Sequence, residues 1–252
     1  MNNNCQLSIN TKSYESKVQN ISPEMMFMSR QQSYKKNQKQ IEAYGEHWMI
    51  AFADLKPGEI GIRHGQLSIP LSGPCGILIG TNSIVEFEFQ KTDINWYAIS
   101  SLSLNLPQCF HEKVIFFEWD KQIPKNFETI FDSIKLMPNK KEIEMQRYSS
   151  AVALKTKHFI DNNFSEILLI TDLAKKLNYS RSVMTREFTK AYGISPFEYR
   201  QKVRVYRAVR VLAAGANVTT ALVESGFSSQ TQFFHQFKKH IGTQPFNYKY
   251  SK

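Results

Sequence analysis

The feature that most restricts this chain is a stretch that occurs twice. Residues 218–248 read VTTALVESGFSSQTQFFHQFKKHIGTQPFNY. Forty-nine residues upstream, Ser180, Phe188, Gly193, Pro196, Phe197 and Tyr199 match Ser229, Phe237, Gly242, Pro245, Phe246 and Tyr248. Apolar, cap and stop positions repeated at one spacing imply two copies of one supersecondary unit. In the second copy Asn217 can cap a short helix, Gly226 supplies the positive φ at its end, and Ser229 caps the next helix. Lys238, Lys239 and His240 then crowd that helix's negative pole ahead of Gly242. Two short helices joined by a tight turn are helix-turn-helix punctuation.

In the first copy LITDLAKKL reads as a helix with Leu173, Ala174 and Leu177 inward, after a supporting helix in AVALKTKHFIDNNF. Asn178 takes the αL turn and Ser180 caps a helix whose buried stripe is Val183, Met184 and Phe188. Arg181, Ser182, Thr185, Arg186 and Thr189 are left outward. In the second copy Phe233, Phe234 and Phe237 form the stripe and Gln230, Thr231, Gln232 and His235 face out. Such faces suit a major groove: Arg forks onto guanine, Gln pairs with adenine, and Thr reaches a thymine methyl. For a lone helix a solvated face is the commoner explanation; a duplicated one with biased charge favours the groove.

That bias is sharp. Residues 1–150 hold 16 Lys+Arg and 16 Asp+Glu, whereas 151–252 hold 16 and 6, so the whole excess of +10 lies in the C-terminal 102 residues. A polyanion-binding half joined to a neutral half is the natural inference. Between the units SPFEYRQKVRVYRAVRVLAAG reads as one helix, set by Ser195 as cap, Pro196 at N1 and Glu198 in a capping box, and ended by Gly215. Arg200, Arg204, Arg207 and Arg210 recur along it at helical spacing, placing some within reach of phosphates.

From His47 to Trp119 the texture changes to short β-branched and aromatic runs such as HWMIAFA, GILIG, SIVEFEF and KVIFFEW, broken by Gly, Pro and Asn. This predicts a small barrel or sandwich, cupin-like, with flanking helices. In SIVEFEF, Val85, Phe87 and Phe89 share the inner face. Trp48, Phe52, Phe87, Phe89, Trp96 and Tyr97 could line an effector pocket, although core packing is the simpler role for each. Residues 1–45 are polar, with SRQQSYKKNQKQ suggesting a helix surface or loop. A helix with Phe127, Ile130, Phe131 and Ile134 on one face follows the strands, covering its own barrel or pairing with a second subunit. The domain reading is a β-rich effector-binding or dimerisation domain over 1–137, a charged linker over 138–149 and a helical domain over 150–252.

Cys5, Cys75 and Cys109 have no metal spacing and read as buried small residues in a reducing compartment. His47, His64 and His111 are scattered singly, and no P-loop, G-x-S-x-G or dinucleotide fingerprint is present. No enzyme activity, cofactor or metal is therefore expected. The absence of a long apolar run or signal core predicts a cytoplasmic protein with no membrane partner.

Over roughly residues 150–250 the chain resembles the AraC/XylS family of transcriptional regulators, through both units, the Arg204, Ala208 and Leu212 connector pattern, SGFSSQTQFFHQFKKHIGTQP and both G-x-x-P-x-x-Y endings. The resemblance implies an all-α domain of about seven helices with two helix-turn-helix units, and a sequence-specific regulator, most often an activator. Recognition helices over about 181–192 and 230–240 would enter successive major-groove faces. Carried over by position, the base-reading residues are Ser182, Thr185, Arg186, Gln230, Thr231, Gln232 and His235. Ser180, Arg181, Thr189, Arg200, Arg204, Arg207, Ser229, Lys238 and Lys239 are the candidates for the DNA backbone. Promoter DNA and RNA polymerase are the implied partners, with a small-molecule effector or a homodimer as further ones. Two departures stand out: His235 replaces a usual arginine, and Ala221-Leu222 replaces a usual Ile-Ala pair, so that Leu222 threatens to open unit two. The rival readings are a barrel enzyme, with or without metal, carrying a helical appendage, and a protein-interaction adaptor.

Overall fold

The computed structural model describes residues 6–22, 25–64, 67–102, 106–124, 129–144, 149–166, 168–247 and 249–250. The sequence expectations resting on Cys5, Phe127 and Tyr248, and on the side chain of His64, fall outside the described residues.

The N-terminal half is built on one strand. β5 (His47–His64) pairs with β6 (Leu67–Ile79) along both of its halves, but its first half also pairs with β8 (Thr92–Leu102) and its second with β7 (Ile84–Phe89). The change of neighbour falls at the register shift between Leu55 and Ile60, around Pro57, which has no N–H to give, and Gly58. The sheet therefore folds over itself there. One layer runs through β9 (Lys113–Glu118), β6, β5, β8, β3 (Met25–Tyr34), β2 (Tyr14–Asn20) and β1 (Gln6–Asn10), and β4 (Gln38–Ala43) joins β7 in the other.

β5 is buried on both faces, which is why HWMIAFA shows no alternation. Met49, Ala51 and Ala53 point into the fold with Val85, Phe87 and Phe89. Trp48, Ile50 and Phe52 point outward beneath α1 (Ile130–Leu136), where Phe131 sets its ring edge-on to Trp48 at 5.0 Å. Thus α1 covers its own sheet. The faces expected for SIVEFEF are those observed.

Three expectations need correction. Residues 25–34 and 38–43 are strands rather than a helix surface or loop; Met26 and Tyr34 are buried, and the polar residues between them sit on a half-buried face. Lys141–Glu144, inside the expected linker, is β10, paired antiparallel to β9 with Ile143 buried. Cys75 is buried but Cys109 is exposed, because its 3-10 turn, Gln108–Phe110, turns Phe110 inward instead.

The C-terminal half contains α2 (Ala151–Asn163), α3 (Ile170–Lys176), α4 (Arg181–Tyr192), α5 (Pro196–Ala213), α6 (Val218–Glu224) and α7 (Gln230–Ile241). Of the seven helices expected, six are α-helices among the described residues and a single 3-10 turn follows at Pro245–Asn247. Lys249–Tyr250 forms β11 beside β1, so the helical half returns to the sheet. The α5 helix lies between the halves. Tyr206 meets Tyr44 and His47 edge-on at 4.8 and 5.2 Å and shares a 2.7 Å hydrogen bond with Ser100. Asn20 donates to the Ala213 carbonyl at the other end.

Candidate nucleic-acid interface

Each unit is fixed by its own local chemistry. Ser180 Oγ accepts from the Val183 amide at 3.2 Å and Ser229 Oγ from the Gln232 amide at 3.4 Å, satisfying donors that the helix starts would otherwise leave open. The Asn217 side chain accepts from the Thr220 amide at 2.9 Å. Gly193 and Gly242, at φ 71° and 81°, close α4 and α7 in the left-handed conformation. Asn178 and Gly226, at φ 59° and 77°, make the inner turns. Tyr179 N then bonds to Ala174 O at 2.9 Å, and Phe227 N to Leu222 O at 3.1 Å. These bonds align the turns forty-eight residues apart, whereas the caps are forty-nine apart, so unit two carries one extra residue between turn and cap.

Below α4 lie Met184 and Phe188, and below α7 Phe233 and Phe237, all at 0% exposure. Burying each such side chain stabilises by about 1.5–3 kcal/mol. Leu222 does not open unit two: Ala221 takes the buried position against Phe227 and Phe233, and Leu222 is half-buried at the edge of the same cluster.

With the stripes inside, the polar flanks are free. Ser182, Arg186, Gln230, Thr231 and His235 are exposed, and Thr185 and Gln232 are half-buried. The residues expected to read bases are thus at least partly open to solvent on both helices. Arg186 lies against Glu187 at 3.2 Å, a pairing it would release to reach a base. Ser180, Arg181, Thr189, Ser229 and Lys238 are exposed as well. Lys190, one turn beyond Arg186 and also exposed, belongs to the same flank; the i, i+4 spacing from Arg186 could have signalled it.

The connector arginines depart from expectation. Arg200, Arg204 and Arg210 are 7%, 4% and 6% exposed, so none forms an open phosphate-binding row. Arg200 donates to the Leu168 carbonyl at 2.5 Å, and Arg204 to those of Phe164 and Glu166 at 2.6 and 2.7 Å. Burial holds the Arg204 guanidinium down to about 10, with the Arg200 charge adding to it. Arg207 is half-buried between Glu46 at 3.6 Å and Glu224 at 3.2 Å. Lys239 is drawn to Glu198 at 2.7 Å. The cause is common: most of α5 is buried, so these basic side chains are drawn to carbonyls and carboxylates within the protein.

Of the six aromatic residues proposed to line an effector pocket, Phe87, Phe89 and Trp96 come together, with neighbouring ring centroids 5.8 and 6.5 Å apart, but the six do not share one pocket. Trp48 and Phe52 lie under α1, while Phe87 and Phe89 are packed inside the sheet with Tyr34, which stacks on Phe89 at 4.1 Å. Trp96 and Tyr97 also border an open cleft of about 300 Å³ with Glu15, Lys17, Gln31 and Asn95. Among the described residues no group of three or more His, Cys, Asp or Glu is placed to hold a metal ion, and no helix is long and apolar enough to cross a membrane.

Two short helices packed as a unit, present twice and joined by a rod, define the class: a double helix-turn-helix protein with an N-terminal β domain. Residues 173–250 match the family model described as "Helix-turn-helix domain". An uncharacterized HTH-type transcriptional regulator of Bacillus subtilis (strain 168), YisR, is 22% identical over 145 residues, covering 57% of this chain and 50% of that protein. The HTH-type transcriptional activator AarP of Providencia stuartii is 27% identical over 120 residues, covering 46% of this chain and 89% of that protein. The chain spans half or less of the length of the first curated relatives it matches. ToxT from Vibrio cholerae shares the fold across both halves, with a TM-score of 0.53 at 13% identity over 96% of this chain and 100% of that one. The same protein has been solved with an unsaturated fatty acid bound, at a TM-score of 0.50 and 12% identity over 96% and 98% of the two chains.

Proposed function

We propose that the chain is a sequence-specific DNA-binding transcription regulator, acting as an activator, in which α4 and α7 enter successive major-groove faces. The observation that carries this reading is a paired, capped helix with an open polar flank, Ser, Thr and Arg on α4 and Gln, Thr and His on α7, in the half that holds all the excess positive charge. Ser182, Thr185 and Arg186 read bases from the first helix, and Gln230, Thr231, Gln232 and His235 from the second. Ser180, Arg181, Thr189, Ser229 and Lys238 meet the backbone. The connector, eighteen residues long, spans roughly 27 Å, compatible with heads set on grooves about 34 Å apart. RNA polymerase is the partner that activation requires, and the cytoplasm is the compartment where promoter DNA is met.

The N-terminal sheet is the regulatory half in this reading, receiving a small effector, a second subunit, or both. Its hold on α5 through Tyr206 and Asn20 gives either event a route to the reading helices. Selection of duplexes from a randomised pool by the full chain tests the proposal. Enrichment of two half-sites about one helical turn apart is the expected result, with affinity falling steeply as salt rises. Equal affinity for selected and random duplex at moderate salt overturns it.

A further inference from the structure

One buried cation touches both helix-turn-helix units. Arg204 projects from the middle of α5, and the two carbonyls it holds, those of Phe164 and Glu166, belong to the segment leading into α3, the first helix of unit one. The Cζ of the same guanidinium lies over the ring of Phe227, in the turn of unit two, 5.5 Å from its centroid. Next to it the two segments meet directly. A Cβ at Gly226 would fall on the backbone of Ser165, and the φ of 77° already excludes most side chains there. Arg200 pins Leu168 at the far end of the same segment.

A helix such as α5 fixes the distance between its ends, but a small unit attached at an end can still swivel. Swivel changes which face of the duplex a reading helix meets, and so the spacing of half-sites that both can use at once. The gain from joining two binding modules disappears when their geometry forbids simultaneous engagement. We propose that Arg204 is the positioning residue that locks the rotation of one reading head against the other, so that the pair accepts a single half-site spacing. The inference rests on the DNA-binding reading above. The arrangement calls for arginine: a planar fork spans two carbonyls while lying over an aromatic ring, and an ammonium cannot do both.

The test uses the full chain and a duplex that the wild type has itself selected, alongside a copy with two base pairs inserted between its half-sites, which turns one by about 70°. Wild type should lose at least tenfold in affinity on insertion. Arg204→Lys, and separately Phe227→Leu, which keeps an apolar side chain in the turn, should bind the original duplex less tightly but lose less than threefold on insertion, with base preference inside each half-site unchanged. A wild-type penalty in both variants, or no penalty in the wild type, overturns the proposal. A wild type that enriches no duplex removes the DNA-binding reading, and this proposal with it. One readout needs no DNA: in Arg204→Lys, amide exchange at Phe227 should quicken together with that at Glu166 and Leu168, and an unchanged Phe227 also overturns the proposal.

Discussion

Lys157 is the most informative residue to remove from the frame beneath α4. Its ammonium, only 3% exposed, lies 2.8 Å from Asp161 and 3.1 Å from Glu112, and Asp161 also accepts the Tyr199 hydroxyl. The network ties α2 to the start of α5 and, through Glu112, to the sheet. Burial raises the Asp161 pKa above 3.8 even though Lys157 opposes the shift, so the carboxylate depends on its partner. Lys157→Met leaves that charge stranded, a change that typically costs about 3–5 kcal/mol. Asp161 can escape by taking up a proton, which sets a ceiling. Neutralising a group of pKa 3.8 costs about 4 kcal/mol at pH 7 and about 2 kcal/mol at pH 5, at roughly 1.4 kcal/mol per unit. A raised carboxyl pKa means the folded state holds a proton that the unfolded state releases, so stability from this site falls as pH rises. Urea unfolding should therefore show a gap between variant and wild type of about 3–4 kcal/mol at pH 7, narrowing to about 1–2 at pH 5. Adding Asp161→Asn should recover most of the loss. A gap below about 1 kcal/mol at pH 7, or one of equal size at both pH values, would refute the reasoning.

Other outcomes follow from the same geometry. Arg186→Ala should relax preference at one base position by about 1–3 kcal/mol, measured by competition among single-base variants of the selected duplex. Arg207→Ala should leave the salt slope of binding unchanged, since Glu46 and Glu224 already hold that guanidinium. His47, whose pKa is held down to about 3 by burial and then by the Arg210 charge, stays neutral in the fold while the unfolded chain takes up a proton below about 6.5. Stability should thus drop by roughly 2 kcal/mol between pH 7 and pH 5, and His47→Phe should abolish that part of the acid loss in a thermal-melt series. Gly76→Ala would drive a methyl into the Phe117 ring, and a cost of about 1–3 kcal/mol is expected by denaturant titration.

The helix-turn-helix half was readable because its signals are local. Caps at Ser180, Asn217 and Ser229 and left-handed turns at Asn178, Gly193, Gly226 and Gly242 act within a few residues of themselves, and each stands where its residue type requires. The strands before residue 45 were not readable, because Arg30 and Gln32 share a half-buried face with Met26 and Tyr34 and blur the alternation. The connector misled for a related reason. An arginine every three or four residues looks like a wet stripe, and only the tertiary wrapping of α5 reveals Arg200 and Arg204 as hydrogen-bonded interior groups. The aromatics of β5 gave no sign of their side, because a strand buried on both faces shows no alternation, and only the fold puts Trp48 and Phe52 under α1, apart from Phe87 and Phe89.

The seating of α5 bears on how far this protein can be taken apart. Val203 lies so near Gly45 that a methyl there would come within 2.7 Å of it, and Tyr206 sits among Tyr44, His47 and Ser100. Excising the helical half would leave an oily seam along its central rod facing water, and a graft onto a foreign β module would lack the matching hollow. The reading heads and the sheet are in that respect a single mechanical piece rather than interchangeable parts.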